Sequence, residues 1–252
     1  MAGWKIFLHS VFLLNRNFNT ALRVFSPLIA LSVCVTLLWT GGMMVGVEGA
    51  SLGWLGFLLA LSLLEVFVAI WVAVAWHRYV LLEEETGLIP VFNGKRIREY
   101  FGASILVGLT ILGAVFLFFL PGFALATVVG VLFGLEGEGS VFNLLLGVIG
   151  FVFAGWVFSR LSPLFPAVAL GEKATLKGAW KATSGVSVSV LAILPLFYLF
   201  NYGLVALVGA AVLPFNTLVG DLVIAIVNCA CAMVSISILT SIYGVVVEGR
   251  EV

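Results

Sequence analysis

The stretch WLGFLLALSLLEVFVAIWVAVAW, residues 54–76, carries one charge, Glu65, in 23 positions. As a helix rising 1.5 Å per residue it measures about 35 Å, enough to cross the roughly 30 Å hydrocarbon core of a bilayer. It runs directly into His77-Arg78-Tyr79, a polar and aromatic group of the kind that marks a membrane–water boundary. A transmembrane helix is therefore the starting point.

The rest of the chain agrees. Of its 252 residues 63% are hydrophobic and 10% charged, and the mean hydropathy is +1.25. An ordinary soluble domain carries roughly 25% charged residues. A soluble globule of this size could not cover so much apolar surface with polar atoms. Composition thus excludes a soluble domain and a disordered chain. The formal net charge is zero and the pI about 6.7, so no bulk basic surface exists to attract nucleic acid.

Outward from residues 54–76, five further spans are read. Residues 24–47 are uncharged, with Pro27 in the first turn, where proline is tolerated. Residues 100–135 carry no charge and contain Pro121-Gly122. The piece after Pro121 is too short for a second crossing, so 101–134 reads as one long, tilted, kinked span. A re-entrant second half is the alternative. Residues 141–170, which contain Arg160, Pro163 and Pro166, form the fourth span. Residues 186–214, with Pro195, and 222–247 form the fifth and sixth.

Two mixed segments read as interfacial helices. Residues 3–20 alternate apolar side chains with Lys5, His9 and Arg16, and Trp4 serves as an anchor. The same charges interrupt the first apolar stretch, so no cleavable signal peptide is expected. In 172–183, Lys173, Lys177 and Lys181 recur every four residues, with Leu176, Ala179 and Trp180 towards another face. That spacing fits a helix lying on an anionic leaflet. The expectation is one all-α polytopic membrane domain over 1–252, with six transmembrane and two interfacial helices.

Charge sets the orientation. All 12 Lys and Arg fall before span one, between spans two and three, between four and five with Arg160, or after six. The opposite loops hold only Glu48, Glu136, Glu138 and Asp221. By the positive-inside rule both termini are cytoplasmic.

Phe158-Ser-Arg160-Leu-Ser-Pro-Leu-Phe-Pro166-Ala-Val-Ala-Leu-Gly171, followed by Leu176 and Ala179-Trp180, resembles a family of bacterial inner-membrane proteins. These are similar to the membrane domain fused ahead of glycerophosphodiester phosphodiesterases. Trp76-His77-Arg78-Tyr79-Val-Leu-Leu-Glu83 and Tyr100-Phe-Gly102-Ala-Ser104 also look like its members. The resemblance implies a six-helix inner-membrane protein. The tail after 247 is too short to hold a phosphodiesterase domain, so no hydrolase activity is carried over.

Chemistry-bearing residues are few. Cys34, Cys229 and Cys231 all lie in apolar runs, an odd number that argues against a disulfide framework. Cys229 and Cys231 point about 200° apart on a helix and cannot clasp one ion. With only His9 and His77 and no HExxH pattern, no metal or cofactor is expected. Ser104 and the run Glu83-Glu84-Glu85 lack the partners that intramembrane proteases need.

Glu65, near mid-membrane, is the sharpest single feature. An intramembrane acid marks a proton or substrate site, or a hydrogen-bonded contact between helices. Arg160 either pairs with it or caps the Pro-rich end of span four and holds headgroup phosphate. His77 and Arg78 read as interfacial anchors, and Lys173, Lys177, Trp180 and Lys181 as leaflet contacts. Gly130, Gly134, Gly147, Gly150 and Gly155 permit close helix approach, which leaves a homo-oligomer or a membrane-protein partner open. The sequence thus supports a non-enzymatic inner-membrane protein with a structural, lipid-associated or regulatory role, its partners being anionic lipid headgroups. The rival is a small proton-coupled carrier using Glu65.

Overall fold

Proline and glycine decide where this apolar chain can stop being helix. The computed structural model describes residues 2–44, 52–133, 141–186, 188 and 192–251. Through them run α1 (Ala2–Arg16), α2 (Phe18–Met44), α3 (Leu52–Leu82), α4 (Gly94–Phe133), α5 (Val141–Leu161), α6 (Leu164–Leu170), α7 (Leu176–Ala182), α8 (Ile193–Val212) and α9 (Thr217–Val246). The described residues are 85% helical, include no strand, and contain six helical stretches long and apolar enough to span a membrane. It is an all-α polytopic membrane protein.

Several boundaries differ from those expected. The first interfacial helix ends at Arg16, and α2 starts at Phe18, ahead of the expected 24. The Asn17 amide donates to the Leu13 carbonyl at 2.9 Å, and its side chain closes the end of α1. Span three starts at Gly94, because Asn93 receives the Arg96 N–H on its side chain and opens the helix before the charges. That helix continues through Pro121 to Phe133. Glu48, Gly134, Glu136 and Glu138 lie outside the described residues. Span five is helical from Ile193 to Val212, inside the expected 186–214.

Span four is broken. Proline lacks an N–H and its ring crowds the carbonyl four residues back, so α5 ends before Pro163. Pro163 then caps α6, and Pro166 falls in its first turn, where a missing N–H costs nothing. Gly171 closes α6 at φ 95°. Its N–H reaches the Val168 carbonyl at 3.0 Å, and the Glu172 N–H reaches that of Ala167 at 2.9 Å. This is the left-handed glycine stop that satisfies the last carbonyls of a helix. The expected interfacial helix over 172–183 shrinks to the seven residues of α7. Thr175 accepts the Gly178 N–H at 3.1 Å to start it, which leaves Lys173 outside.

α9 is the hub. It packs against α1, α2, α3, α6 and α8, and residues 237–244 are buried without interruption. Ile6, Leu194, Phe197 and Ile242 join α1 and α8 to it. Phe25, Val72 and Trp76 join α2 and α3. Tyr100, Val157, Leu164 and Phe165 join α4, α5 and α6 around a second cluster with α3. Gly155 lets α5 approach α8, since a Cβ there would sit 2.6 Å from the Pro195 ring. Outside these seams, Leu63 and Val66 of α3 and Leu109, Leu112 and Leu117 of α4 are exposed. In water such a surface would aggregate; in a bilayer it is the lipid-facing wall.

Gly171 generates a prediction. A Cβ there would collide with the Arg96 guanidinium, and φ 95° strains any side-chain-bearing residue. Gly171→Ala should lower the detergent-solubilised melting temperature by the equivalent of about 1–3 kcal/mol. Gly102→Ala, at a helical position with open space, should not lower it.

Candidate functional site

The ends of α1, α3, α6 and α9 meet where the basic residues gather, and their polar side chains interlock. Ser10 donates to the Ile6 carbonyl at 2.7 Å, so at 2.9 Å its oxygen accepts from Ser241. Ser237 donates to the Ser10 carbonyl at 3.0 Å. Tyr79 donates to Asn17 at 2.9 Å, and Tyr243 to Glu172 at 2.7 Å. Apart from the Ser10–Ile6 bond inside α1, each bond ties one helix or its flanking residue to another.

His77 stands at the centre, fully buried. The sequence placed it as an interfacial anchor; the structure corrects this. Its position one residue after Trp76 turns it towards α4 and α9 instead of the boundary. Nδ1 lies 2.8 Å from Thr240 Oγ1 and Nε2 lies 3.3 Å from the Tyr100 hydroxyl. Thr240 gives its own proton to the Ile236 carbonyl at 2.9 Å, so its oxygen accepts from His77. The partners therefore assign the proton to Nδ1, with Nε2 accepting from Tyr100. The Tyr100 ring stacks on the imidazole with centroids 5.9 Å apart.

Three arginines near this end close short helices. Arg160 is buried and donates to the carbonyls of Thr183 and Trp180, the latter at 3.0 Å. The Thr183 hydroxyl reaches back to the Arg160 carbonyl at 3.0 Å, and the guanidinium sits 4.6 Å from the Trp180 ring centre. Arg160 thus holds the end of α7, where unpaired carbonyls attract a cation. Neither expected partner is used: it does not pair with Glu65, and it is withdrawn from headgroup phosphate. Arg78, also expected at the lipid interface, is half-buried. It pairs with Glu84 at 2.5 Å and donates to the Ala169 carbonyl at 3.2 Å. Arg96 pairs with Glu99 at 2.6 Å and packs over Gly171.

Glu65 is half-buried and accepts a hydrogen bond from Ser32 of α2. Cys229 of α9 lies beside the same pair, so three spans converge on one carboxyl. At the other end of α9, Thr40 donates to Asp221 at 2.7 Å, and Asn216 caps the helix through the Val219 N–H at 3.0 Å. Lys173, Lys177 and Lys181 are exposed, and Trp180 is 38% exposed with its ring edge-on to Trp156.

A cavity of about 490 Å³ opens between α1, α3 and the end of α9. His9, Arg16, Glu83, Glu85, Arg250 and Glu251 ring it; Thr240 and Ser241 lie in its lining. The sequence reading did not single out this group. Its signal was present in Ser237, Thr240 and Ser241, three hydroxyls at spacings of three and four near the C-terminal end of the last span. That pattern marks one polar stripe on a helix.

The fold and this polar end define a multi-pass membrane protein. No family model, curated protein or solved structure matches the chain.

Thr240→Val should leave the His77 Nδ1–H buried without a partner. The expected cost is about 1–3 kcal/mol, read as a lower melting temperature in detergent. Thr110→Val, which removes only a bond to the Leu106 carbonyl of its own helix, should change it little.

Proposed function

We propose that this is a lipid-associated, non-enzymatic protein of a bacterial inner membrane, with both termini cytoplasmic and its basic end seated against anionic headgroups. One observation carries the reading. Lys5, Arg16, Arg23, Lys95, Arg98, Lys173, Lys177 and Lys181 are exposed and form no ion pair among the described residues. The other four basic residues are occupied within the protein: Arg78, Arg96 and Arg250 by carboxylates, Arg160 by carbonyls. At one end of a spanning bundle, eight cations outside any ion pair outnumber the unpaired acids Glu83, Glu85 and Glu251, and this suits an anionic leaflet, which attracts each basic residue near its surface. The one-sided charge also supports the cytoplasmic assignment of that end. The resemblance to the inner-membrane family supports the compartment.

Changing Lys173, Lys177 and Lys181 together to Gln should weaken retention of phosphatidylglycerol at least about tenfold. Native mass spectrometry of the protein released from nanodiscs reads this directly. Unchanged retention would remove the reading.

A second reading, a proton-coupled carrier, draws on the meeting of Ser32, Glu65 and Cys229 from three spans. It predicts that Glu65→Gln abolishes flux in liposomes while the protein still inserts. Flux equal to wild type in that variant would eliminate it.

A further inference from the structure

We propose that the cavity between α1, α3 and the end of α9 binds a zwitterion bearing a primary ammonium and a phosphate, the chemistry of a phosphoethanolamine headgroup. This deepens the lipid-associated reading and rests on its placing the basic end at a leaflet.

Size and position come first. At about 490 Å³ the cavity falls within the roughly 300–1,000 Å³ of small-molecule sites. It opens at helix ends, where a span meets the headgroup layer. Leu13, Val80 and Val245 supply apolar wall beside the charged rim.

The rim charges choose the ligand. Arg16, from the last turn of α1, is exposed and makes no ion pair. Glu83 and Glu85, from the segment after α3, are likewise exposed and unpaired. Glu84 between them turns away to Arg78, so the two acids on either side share the cavity. Glu83 adopts φ 55°, the left-handed turn that ends α3 and sets this alternation. Arg250 adds little free positive charge, because Glu248 holds its Nε at 2.5 Å.

Opposite charges thus line one bowl on separate elements without neutralising each other. A purely anionic ligand would meet Arg16 but also Glu83, Glu85 and Glu251. A purely cationic ligand would satisfy the acids and leave Arg16 unused. A zwitterion satisfies both, its phosphate at Arg16 and its ammonium between Glu83 and Glu85. A primary ammonium presents three N–H donors to two carboxylates; a trimethylammonium presents none.

The test is native mass spectrometry of the full chain released from nanodiscs of phosphatidylethanolamine, phosphatidylcholine or phosphatidylglycerol. The expected result is one retained phosphatidylethanolamine per chain, at least about tenfold favoured over phosphatidylcholine. Glu83→Gln with Glu85→Gln should erase that preference and leave phosphatidylglycerol retention unchanged. The lysine triple variant should do the reverse, so failure of the anionic reading and failure of this one give different patterns. Arg16→Gln should weaken phosphatidylethanolamine retention as an independent check. Free phosphoethanolamine added at millimolar concentration separates the sources. Displacement of the lipid assigns the site to a soluble zwitterion; persistence of the lipid assigns it to the headgroup. Equal retention of phosphatidylethanolamine and phosphatidylcholine by the wild type, or a preference that survives in the double glutamine variant, overturns the proposal.

Discussion

Hydrocarbon offers no hydrogen bonds, and the packing of this protein follows from that constraint at α9. Residues 237–244 of the helix are buried on every side, yet Ser237, Thr240 and Ser241 are among them. A buried hydroxyl without a partner is costly. Each is matched: Ser237 to the Ser10 carbonyl, Ser241 to the Ser10 hydroxyl, Thr240 to Ile236 and His77. These bonds fix the positions of α1 and α3 against α9. Apolar packing could slide along a helix by a turn; donors and acceptors at fixed heights resist that shift. The cavity stands above this knot, with Thr240 and Ser241 in its lining.

Arginine is used at this end in a way that its sequence context does not announce. In a bilayer protein an isolated arginine invites two readings, a buried acid or a lipid phosphate. Arg160 takes neither. It satisfies the open carbonyls of a seven-residue helix, which has too few internal bonds to hold itself together. Arg78 and Arg96 do related work at the end of α6, one bonding Ala169 and the other lying over Gly171. Pro163 creates the need: it breaks span four into short pieces whose ends require partners. The break and the arginines form one structural device.

The remaining charges divide by geometry into two populations. Lysines and outlying arginines are exposed and form no ion pair among the described residues, and in the proposed reading a leaflet supplies the counter-charge. Around the cavity, acids and Arg16 face the same space from different elements. A uniformly basic face attracts by charge alone, whereas a mixed rim selects by arrangement. In the lipid-associated reading proposed above, this end of the protein combines broad attraction with a local, shape-dependent preference.

The sequence by itself determined the class. Uncharged runs of membrane length, separated by loops of one-sided charge, admit only helices that cross a bilayer, because the backbone must satisfy itself there. That is why six spans were legible, although the helix expected over 54–76 runs from Leu52 to Leu82 and takes in His77-Arg78-Tyr79. The neighbours of each side chain were not legible. His77-Arg78-Tyr79 has the composition of a boundary anchor, but Thr240 and Tyr100, distant in sequence, draw His77 inside. Arg160 and Glu65 offered an attractive pair of charges, and only packing shows that Thr183, Trp180 and Ser32 stand closer. Periodicity fixes which residues share a helix face. It does not fix which helix that face meets or at what height, and the cavity at the end of α9 depends on both.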